Sequence, residues 1–220
     1  MEELEEYIAG YVFGDGNLYY DKSRRAYRIR MYDASREHLI AIARIICKLY
    51  GVKISIYKRK SENLYVASMY SRAIHRRIVE LLENLRDNPS IQFIRGLFDA
   101  EGYCYIRQRG NNFDIEIGIA SKDIELLKKV QEILKKHGIG AKLVIRELKN
   151  PRRFVGYIRV YGLENTCRLY TLLNPLHSRF YKLRGVCPPS PEGNSANWPR
   201  NFGRRGACGS GVHPWNRGPQ

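Results

Sequence analysis

Nine residues near the start of this chain, Ile8-Ala9-Gly10-Tyr11-Val12-Phe13-Gly14-Asp15-Gly16, are echoed in its middle by Ile94-Arg95-Gly96-Leu97-Phe98-Asp99-Ala100-Glu101-Gly102. Each segment is an apolar run with small residues four apart, closed by an acid and a glycine. The acids Asp15 and Glu101 stand 86 residues apart, the length of a small domain. Residues four apart share one face of a helix. Small side chains on that face let two helix backbones approach closely. A chain that spells this twice is constrained to a duplicated, twofold-like fold with one carboxylate from each copy near its centre.

The duplication extends past the motifs. Residues Tyr27–Tyr32 alternate at period two and read as a strand, after a turn at 21–23. Leu39, Ile42, Ala43, Ile45, Ile46 and Leu49 fall at helical spacing between a Ser35 cap and a Gly51 stop. Segments 53–59 and 64–69 read as a hairpin and 71–85 as a helix; Asn88-Pro89-Ser90 then breaks the chain, with Ser90 placed to cap the second motif helix. The order recurs: a hairpin over 103–109 and 114–119, a helix over 121–137 stopped by Gly138, a hairpin over 142–148 and 155–161, and a closing helix over 163–173. Ser121 follows Ser35 by 86 residues, and Gly138 follows Gly51 by 87. Each half therefore reads helix, hairpin, helix, hairpin, helix. This predicts an α+β chain of two halves, residues 1–88 and 89–186. From Cys187 onward, prolines 188, 189 and 191 and six glycines leave little helix or strand pattern, so 187–220 reads as an irregular tail.

The net charge is +16, from 38 basic and 22 acidic residues. Setting aside the four arginines and one glutamate beyond residue 186 leaves +13 on the body. A strongly basic folded body implies a polyanionic partner. No apolar run approaches the length of a bilayer span, and no signal peptide precedes the acidic first helix. The five cysteines are odd in number, scattered and without a C-x-x-C pair, which argues against a zinc site or a disulfide framework. A Cys187–Cys208 bridge stays open as a minor alternative. The chain is expected to be intracellular, in cytoplasm, nucleoid or organelle, and not secreted.

Chemistry enters through the acids. Each falls at a helix C-terminus, the partially negative end of the helix dipole, where a carboxylate costs about 0.3–1 kcal/mol. Placing one there twice calls for a compensating cation. If the helices cross side by side the carboxylates converge, and such a pair holds hard divalent ions such as Mg²⁺ through oxygen. Metal ions so held activate water and stabilise a leaving oxygen in phosphodiester cleavage. A basic protein with this centre points to a nuclease.

The motif pair resembles those of the LAGLIDADG homing endonucleases, in the single-chain form that carries two copies, and the resemblance spans residues 4 to about 175. It implies two pseudo-symmetric αββαββα halves, motif helices packed at their interface, and saddle-shaped antiparallel sheets laid along the DNA major groove. It implies catalytic roles for Asp15 and Glu101, a Mg²⁺ site formed by Asp15 and Glu101 with Gly14 and Ala100, and cleavage of a long DNA site with 3′ overhangs. Family members often place a Lys or Gln near each metal; Asp33 falls where the first would stand, and Lys122 is a loose candidate for the second. Phe13 replaces an earlier acid, Tyr11 a leucine and Arg95 a small residue, while both final carboxylates are kept. Asp99 matches an earlier acid that is not a metal ligand in the family.

Alternation divides the strand faces. Tyr27, Ile29 and Met31 take the core face, with Arg28, Arg30 and Tyr32 on the other; adding 86 gives Ile115 and Ile117 inside, and Asp114, Glu116 and Gly118 outside. Arginines pair with guanine edges and carboxylates accept from cytosine, so the two half-sites are expected to differ. Tyr19, Lys58, Arg59, Arg107, Arg109, Arg146 and Arg159 join these as candidate DNA contacts. Arg24, Arg25, Lys60, Arg152 and Arg153 are candidate phosphate contacts, which position without specifying sequence. His38, His75, His137, His177 and His213 lack metal-ligand spacing and read as structural or surface residues. The expected partner is double-stranded DNA bound by a monomer. An intron RNA maturase and a non-catalytic DNA-binding protein are the alternatives on the same scaffold.

Overall fold

The computed structural model describes residues 1–59, 62–109, 112–149 and 152–187, without the side chains of 108, 109, 112, 113 and 152. The tail from 188 on lies outside the described residues. The first half runs α1 (Glu2–Asp15), β1 (Gly16–Asp21), β2 (Ala26–Asp33), α2 (Arg36–Tyr50), β3 (Ser55–Lys58), β4 (Tyr65–Tyr70) and α3 (Arg72–Asp87). The second runs α4 (Ile91–Glu101), β5 (Gly102–Arg109), β6 (Asn112–Ser121), α5 (Ile124–Lys136), β7 (Ala141–Lys149), β8 (Arg152–Tyr161) and α6 (Leu163–Leu173). Two antiparallel sheets result, ordered β1-β2-β4-β3 and β5-β6-β8-β7. The chain is thus α+β, with the duplicated order expected from its sequence. Among the described residues, no helix is long and apolar enough to cross a membrane.

Local signals set the element ends. Ser35, Ser71 and Ser90 each accept a hydrogen bond from a backbone N–H in the first turn of α2, α3 and α4, which satisfies donors that a helix start leaves open. Gly51 ends α2 at φ 65°, a left-handed conformation that glycine adopts without a Cβ penalty.

The two halves join through α1 and α4. A Cβ placed on Gly10 would lie 2.0 Å from the carbonyl oxygen of Phe93, and one on Gly96 would lie 2.0 Å from that of Tyr7. Adding 86 to Tyr7 and Gly10 gives Phe93 and Gly96, so the two contacts exchange under the sequence repeat. That reciprocity is the mark of a pseudo-twofold axis between the helices. Each motif helix also reaches across it: Ala9 packs in the core of the second half, and Ala100 in that of the first.

The constant offset fails inside the hairpins. Gly16 pairs with Met31, and Gly102 with Ile119, so second-strand positions correspond at 88 rather than 86. Arg28 corresponds to Glu116 and Arg30 to Gly118. The shift of two preserves strand parity, so Ile115, Ile117 and Ile119 are buried as the alternation predicts. It also moves the helix start: α5 is capped by Asp123, whose carboxylate accepts from Leu126 N, and Ser121 lies before it in β6. Ser121 is the counterpart of Asp33; each accepts from the backbone N–H two residues on, at 3.1 and 2.7 Å.

After α6 the chain turns back across both halves. Residues 174–187, including a 3₁₀ segment over Ser178–Gly185, form a strap. The strap ends in a Cys167–Cys187 disulfide, with an S–S distance of 2.15 Å. This corrects the expectation drawn from cysteine spacing and excludes a Cys187–Cys208 bridge. The partners meet because the strap folds back onto α6, which spacing along the chain does not record.

Candidate active site

Asp15 ends α1 and Glu101 ends α4. The small residues before them bring the two ends together: a Cβ on Gly14 would lie 2.6 Å from the Cβ of Ala100 and 2.9 Å from the Cγ of Glu101. An open cavity of about 660 Å³ lies beside Asp15, lined also by Asp33, Arg59, His177 and Arg179. A second cavity lies beside Glu101, with Ser121, Lys122 and Arg153 on its wall. Gly14 lines both. The structure therefore gathers Asp15, Glu101, Gly14 and Ala100 at one place.

Burial, the charge of Glu101 and that of Asp33 push the Asp15 carboxyl up to about 7, against the opposing charges of Arg179 and His38. Glu101 reaches solvent, yet desolvation by its surroundings raises its pKa as well, opposed by Arg179 and Lys122. Each acid thus holds a proton more readily than an isolated carboxyl, Asp15 partly because the Glu101 charge lies beside it. Such an oxygen-only, charge-crowded donor set fits a hard divalent cation.

Beneath Asp15 lies a buried cluster that no short motif announces. Asp33 accepts from Tyr11 OH at 3.0 Å, and its carboxylate sits 2.7 Å from His38 Nδ1 and 3.2 Å from His177 Nε2. Burial raises the Asp33 pKa, but hydrogen bonds from His177, His38 and the Ser35 N–H outweigh it, leaving the carboxyl well below its usual range. Asp33, His38 and His177 also lie close enough together to form a candidate metal-binding group. His38 and His177 were legible only as structural or surface histidines, because they are 139 residues apart and the strap alone unites them. Asp99 is fully buried and accepts from Tyr7 OH, Leu176 N and His177 N at 2.8, 2.9 and 3.0 Å. It fastens α1, α4 and the strap together.

The pKa shifts set a pH dependence. Asp15 binds its proton more tightly folded than unfolded, so its contribution to stability falls as pH rises from about 4 to about 7. Asp33 has the opposite sign: its contribution is present above the ordinary carboxyl range and is lost as pH falls through its depressed folded value. A divalent ion held by Asp15 would compete with the proton. The Mg²⁺-induced rise in melting temperature is therefore expected to be larger at pH 8 than at pH 5.5. Equal shifts at both pH values would remove Asp15 from the metal shell.

The open sheet faces carry most of the predicted contacts. Tyr19 pairs with Arg28, and Arg28 with Tyr70, which puts Tyr19, Arg28, Arg30 and Tyr32 on one face. On the second sheet, Tyr105 pairs with Glu116, Arg107 with Asp114, Glu116 with Tyr161, and Arg146 with Val155. By alternation, Arg107, Asp114, Glu116, Arg146, Arg153 and Arg159 share the corresponding face. Several cations stack on tyrosines: Arg28 on Tyr70, Arg30 on Tyr19, Arg146 on Tyr157 and Arg159 on Tyr161. Stacking fixes a guanidinium plane without consuming its N–H donors.

Four predicted contacts need qualification. Lys58 shares its face with Ile56, which packs on the core, so it lies on the helix side of β3 and away from the open face. Glu116 accepts both Nε and Nη2 of Arg159, together with Tyr103 OH, so these two predicted readers neutralise each other in this structure. Arg59 is paired with Glu62 and lines the Asp15 cavity. Arg24 and Arg25 are exposed in the β1–β2 turn. Lys60 and the side chains of Arg109 and Arg152 lie outside the described residues.

Comparison with known proteins agrees with this architecture. Residues 4–92 match a family model described as the WhiA LAGLIDADG-like domain, and residues 88–174 match one described as a LAGLIDADG-like domain. The chain belongs to the LAGLIDADG family, in the form that carries both motifs in one chain. It is 26% identical over 148 residues to the uncharacterized protein MJ0398 of Methanocaldococcus jannaschii, covering 65% of this chain and 52% of that one. The chain thus spans about half the length of this curated relative. Among solved structures, the homing endonuclease I-DmoI in complex with DNA and Mn aligns with a TM-score of 0.58 at 22% identity, over 80% of this chain and 98% of that one. The I-LtrWI LAGLIDADG homing endonuclease bound to target DNA aligns at 0.58 and 11% identity, over 84% and 88%. At these identities the likeness establishes the fold.

Proposed function

We propose that the chain is a site-specific double-strand DNA endonuclease that hydrolyses phosphodiesters with Mg²⁺. Residues 1–88 and 89–186 serve as its two halves. The observation that carries this reading is the convergence of Asp15 and Glu101 at adjoining helix ends, where desolvation raises the pKa of both carboxyls and the Glu101 charge adds to the rise at Asp15. Mg²⁺ held by Asp15 and Glu101, beside Gly14 and Ala100, would supply charge stabilisation and an activated water. The chain's own residues do the rest. The faces bearing Tyr19, Arg28, Arg30, Tyr32, Arg107 and Arg146 seat the duplex. Lys122 and Arg153, in the Glu101 cavity, place positive charge beside the site of cleavage. The two faces correspond residue by residue yet differ in chemistry, Arg30 standing opposite Gly118 in the repeat, so the target is asymmetric. One chain supplies both acids, so it acts as a monomer, in an intracellular setting where DNA is its partner, and its cuts leave 3′ overhangs.

Selection of cleaved molecules from a randomised duplex library in Mg²⁺ tests the reading. The expected outcome is enrichment of one long, non-palindromic site. Tight duplex binding with no cutting in Mg²⁺ or Mn²⁺ would overturn it in favour of a non-catalytic DNA-binding protein. Preference for structured RNA over duplex at matched salt would point to a maturase. Affinities are compared at one salt concentration because phosphate contacts release counterions.

A further inference from the structure

The strap lies beyond the segments that match the family models, which end at residue 174. It nevertheless enters the candidate active site. We propose that Arg179, carried by this strap, is a catalytic residue that grips the scissile phosphate beside Asp15 and Glu101. The assignment rests on the nuclease reading above.

Position is the first argument. Arg179 lines the same cavity as Asp15, and its charge acts on both acids. The second argument is spare valence. A guanidinium has five N–H donors, and among the described residues Arg179 spends one, from Nη1 to the carbonyl oxygen of Gly102 at 2.9 Å. A cation placed only to neutralise the two acids would pair with them; no ion pair within 4.0 Å joins Arg179 to either. Its remaining donors suit a phosphate, which arginine binds in bidentate fashion.

The third argument is the effort spent holding it in place. Leu176 N and His177 N both donate to the buried Asp99 carboxylate. His177 Nδ1 accepts the Arg179 backbone N–H at 2.9 Å. That contact assigns the ring proton to Nε2, which donates to Asp33. Phe180 stacks on Phe98 of α4 with ring centroids 4.3 Å apart. The residues on either side of Arg179 are therefore bolted to the motif helix and to β2. This explains the buried carboxylate at Asp33, where the family resemblance leads one to expect a Lys or Gln. Asp33 serves as an anchor for the strap, and the strap returns the missing cation. His177 and Asp33 are positioning residues in this scheme.

Single-turnover cleavage of the selected site at saturating Mg²⁺ tests the proposal. Arg179→Gln is expected to slow cleavage by about a hundredfold or more, as loss of one donor to transition-state charge does elsewhere. Duplex affinity in Ca²⁺ should stay within about threefold of wild type. Arg179→Lys should recover to within about tenfold of wild type, because the charge is kept. Lys182→Met is the control: Lys182 also ties the strap to β5, through the Cys104 carbonyl, but is not among the residues lining either acid's cavity. Its cleavage rate should remain within about threefold of wild type. A rate for Arg179→Gln within threefold of wild type would overturn the proposal. So would an equal loss in Lys182→Met, which would reduce Arg179 to a strap tether. If the wild-type chain cuts no DNA, the nuclease reading fails and this assignment fails with it.

Discussion

Asp15→Asn and Glu101→Gln are each expected to abolish double-strand cutting while leaving duplex binding in place. Each substitution keeps the side-chain volume and removes one anionic oxygen donor from the shared site. Losing a metal-borne stabilisation of about 4 kcal/mol corresponds to about a thousandfold in rate. The same variants should move stability the other way. Asp15 is pushed up to about 7 by burial and by neighbouring negative charge, so a neutral amide relieves repulsion in the metal-free protein. Above pH 7 Asp15→Asn should melt at a higher temperature than wild type without Mg²⁺, and should lose most of the Mg²⁺-induced rise. A gel assay of both strands and a thermal melt on the same preparations check both signs. Full cutting by both variants in Mg²⁺ would remove the acids from the reaction. A lower melting temperature for Asp15→Asn would mean that its carboxylate has a structural partner beyond the metal.

The second large effect is structural. Gly10→Ala is expected to destabilise the protein by about 4 kcal/mol or more, which is within reach of the whole stability of a domain. A Cβ at Gly10 would sit 2.0 Å from the Phe93 carbonyl oxygen and 2.8 Å from its carbon. Those are backbone atoms of α4, so no rotamer change relieves the clash. The helices must separate, and the fully buried Tyr7, Tyr11, Phe93 and Leu97 lose close packing when they do. Gly96→Ala should behave alike, since its Cβ would meet the Tyr7 carbonyl at the same distance. Gly185→Ala has open space around it and should change stability by no more than about 0.5 kcal/mol. Urea unfolding of the three variants checks the ranking. A cost below about 1 kcal/mol at Gly10 would mean that α1 and α4 do not approach this closely in solution. Separation of the helix ends would also part Asp15 from Glu101, so a folded Gly10 variant should cut poorly.

Much of this was legible in the chain because duplication leaves a record in residue spacing. Helical periodicity located α1 to α6, serine caps and Gly51 marked their ends, and strand parity sorted Arg28 from Ile29. The record blurs where a hairpin changes length. The first hairpin of the second half is two residues longer, its two strands each gaining two residues while the connection between them loses two, so an offset of 86 placed the α5 start at Ser121 when Asp123 caps it. Parity is unchanged by a shift of two, which is why the faces survived the error. Lys58 shows the converse. In a four-residue edge strand its charge suggested a contact, but its register places it on the side of Ile56.

What the sequence determined by itself is the repeat: two copies of one fold, a close crossing of two glycine-bearing helices, and a carboxylate at the end of each. Those follow from periodicities of two, 3.6 and 86, which are local or exact repeats. The surroundings of that carboxylate pair were decided by tertiary structure alone. Asp33, Asp99, His38, His177 and Arg179 come from both halves and from the strap, and no spacing links them. Burial and neighbouring charge give Asp15 and Asp33, the same residue type, opposite pKa shifts. One strap threaded back over α4 set both the cation beside the acids and the Cys167–Cys187 pairing.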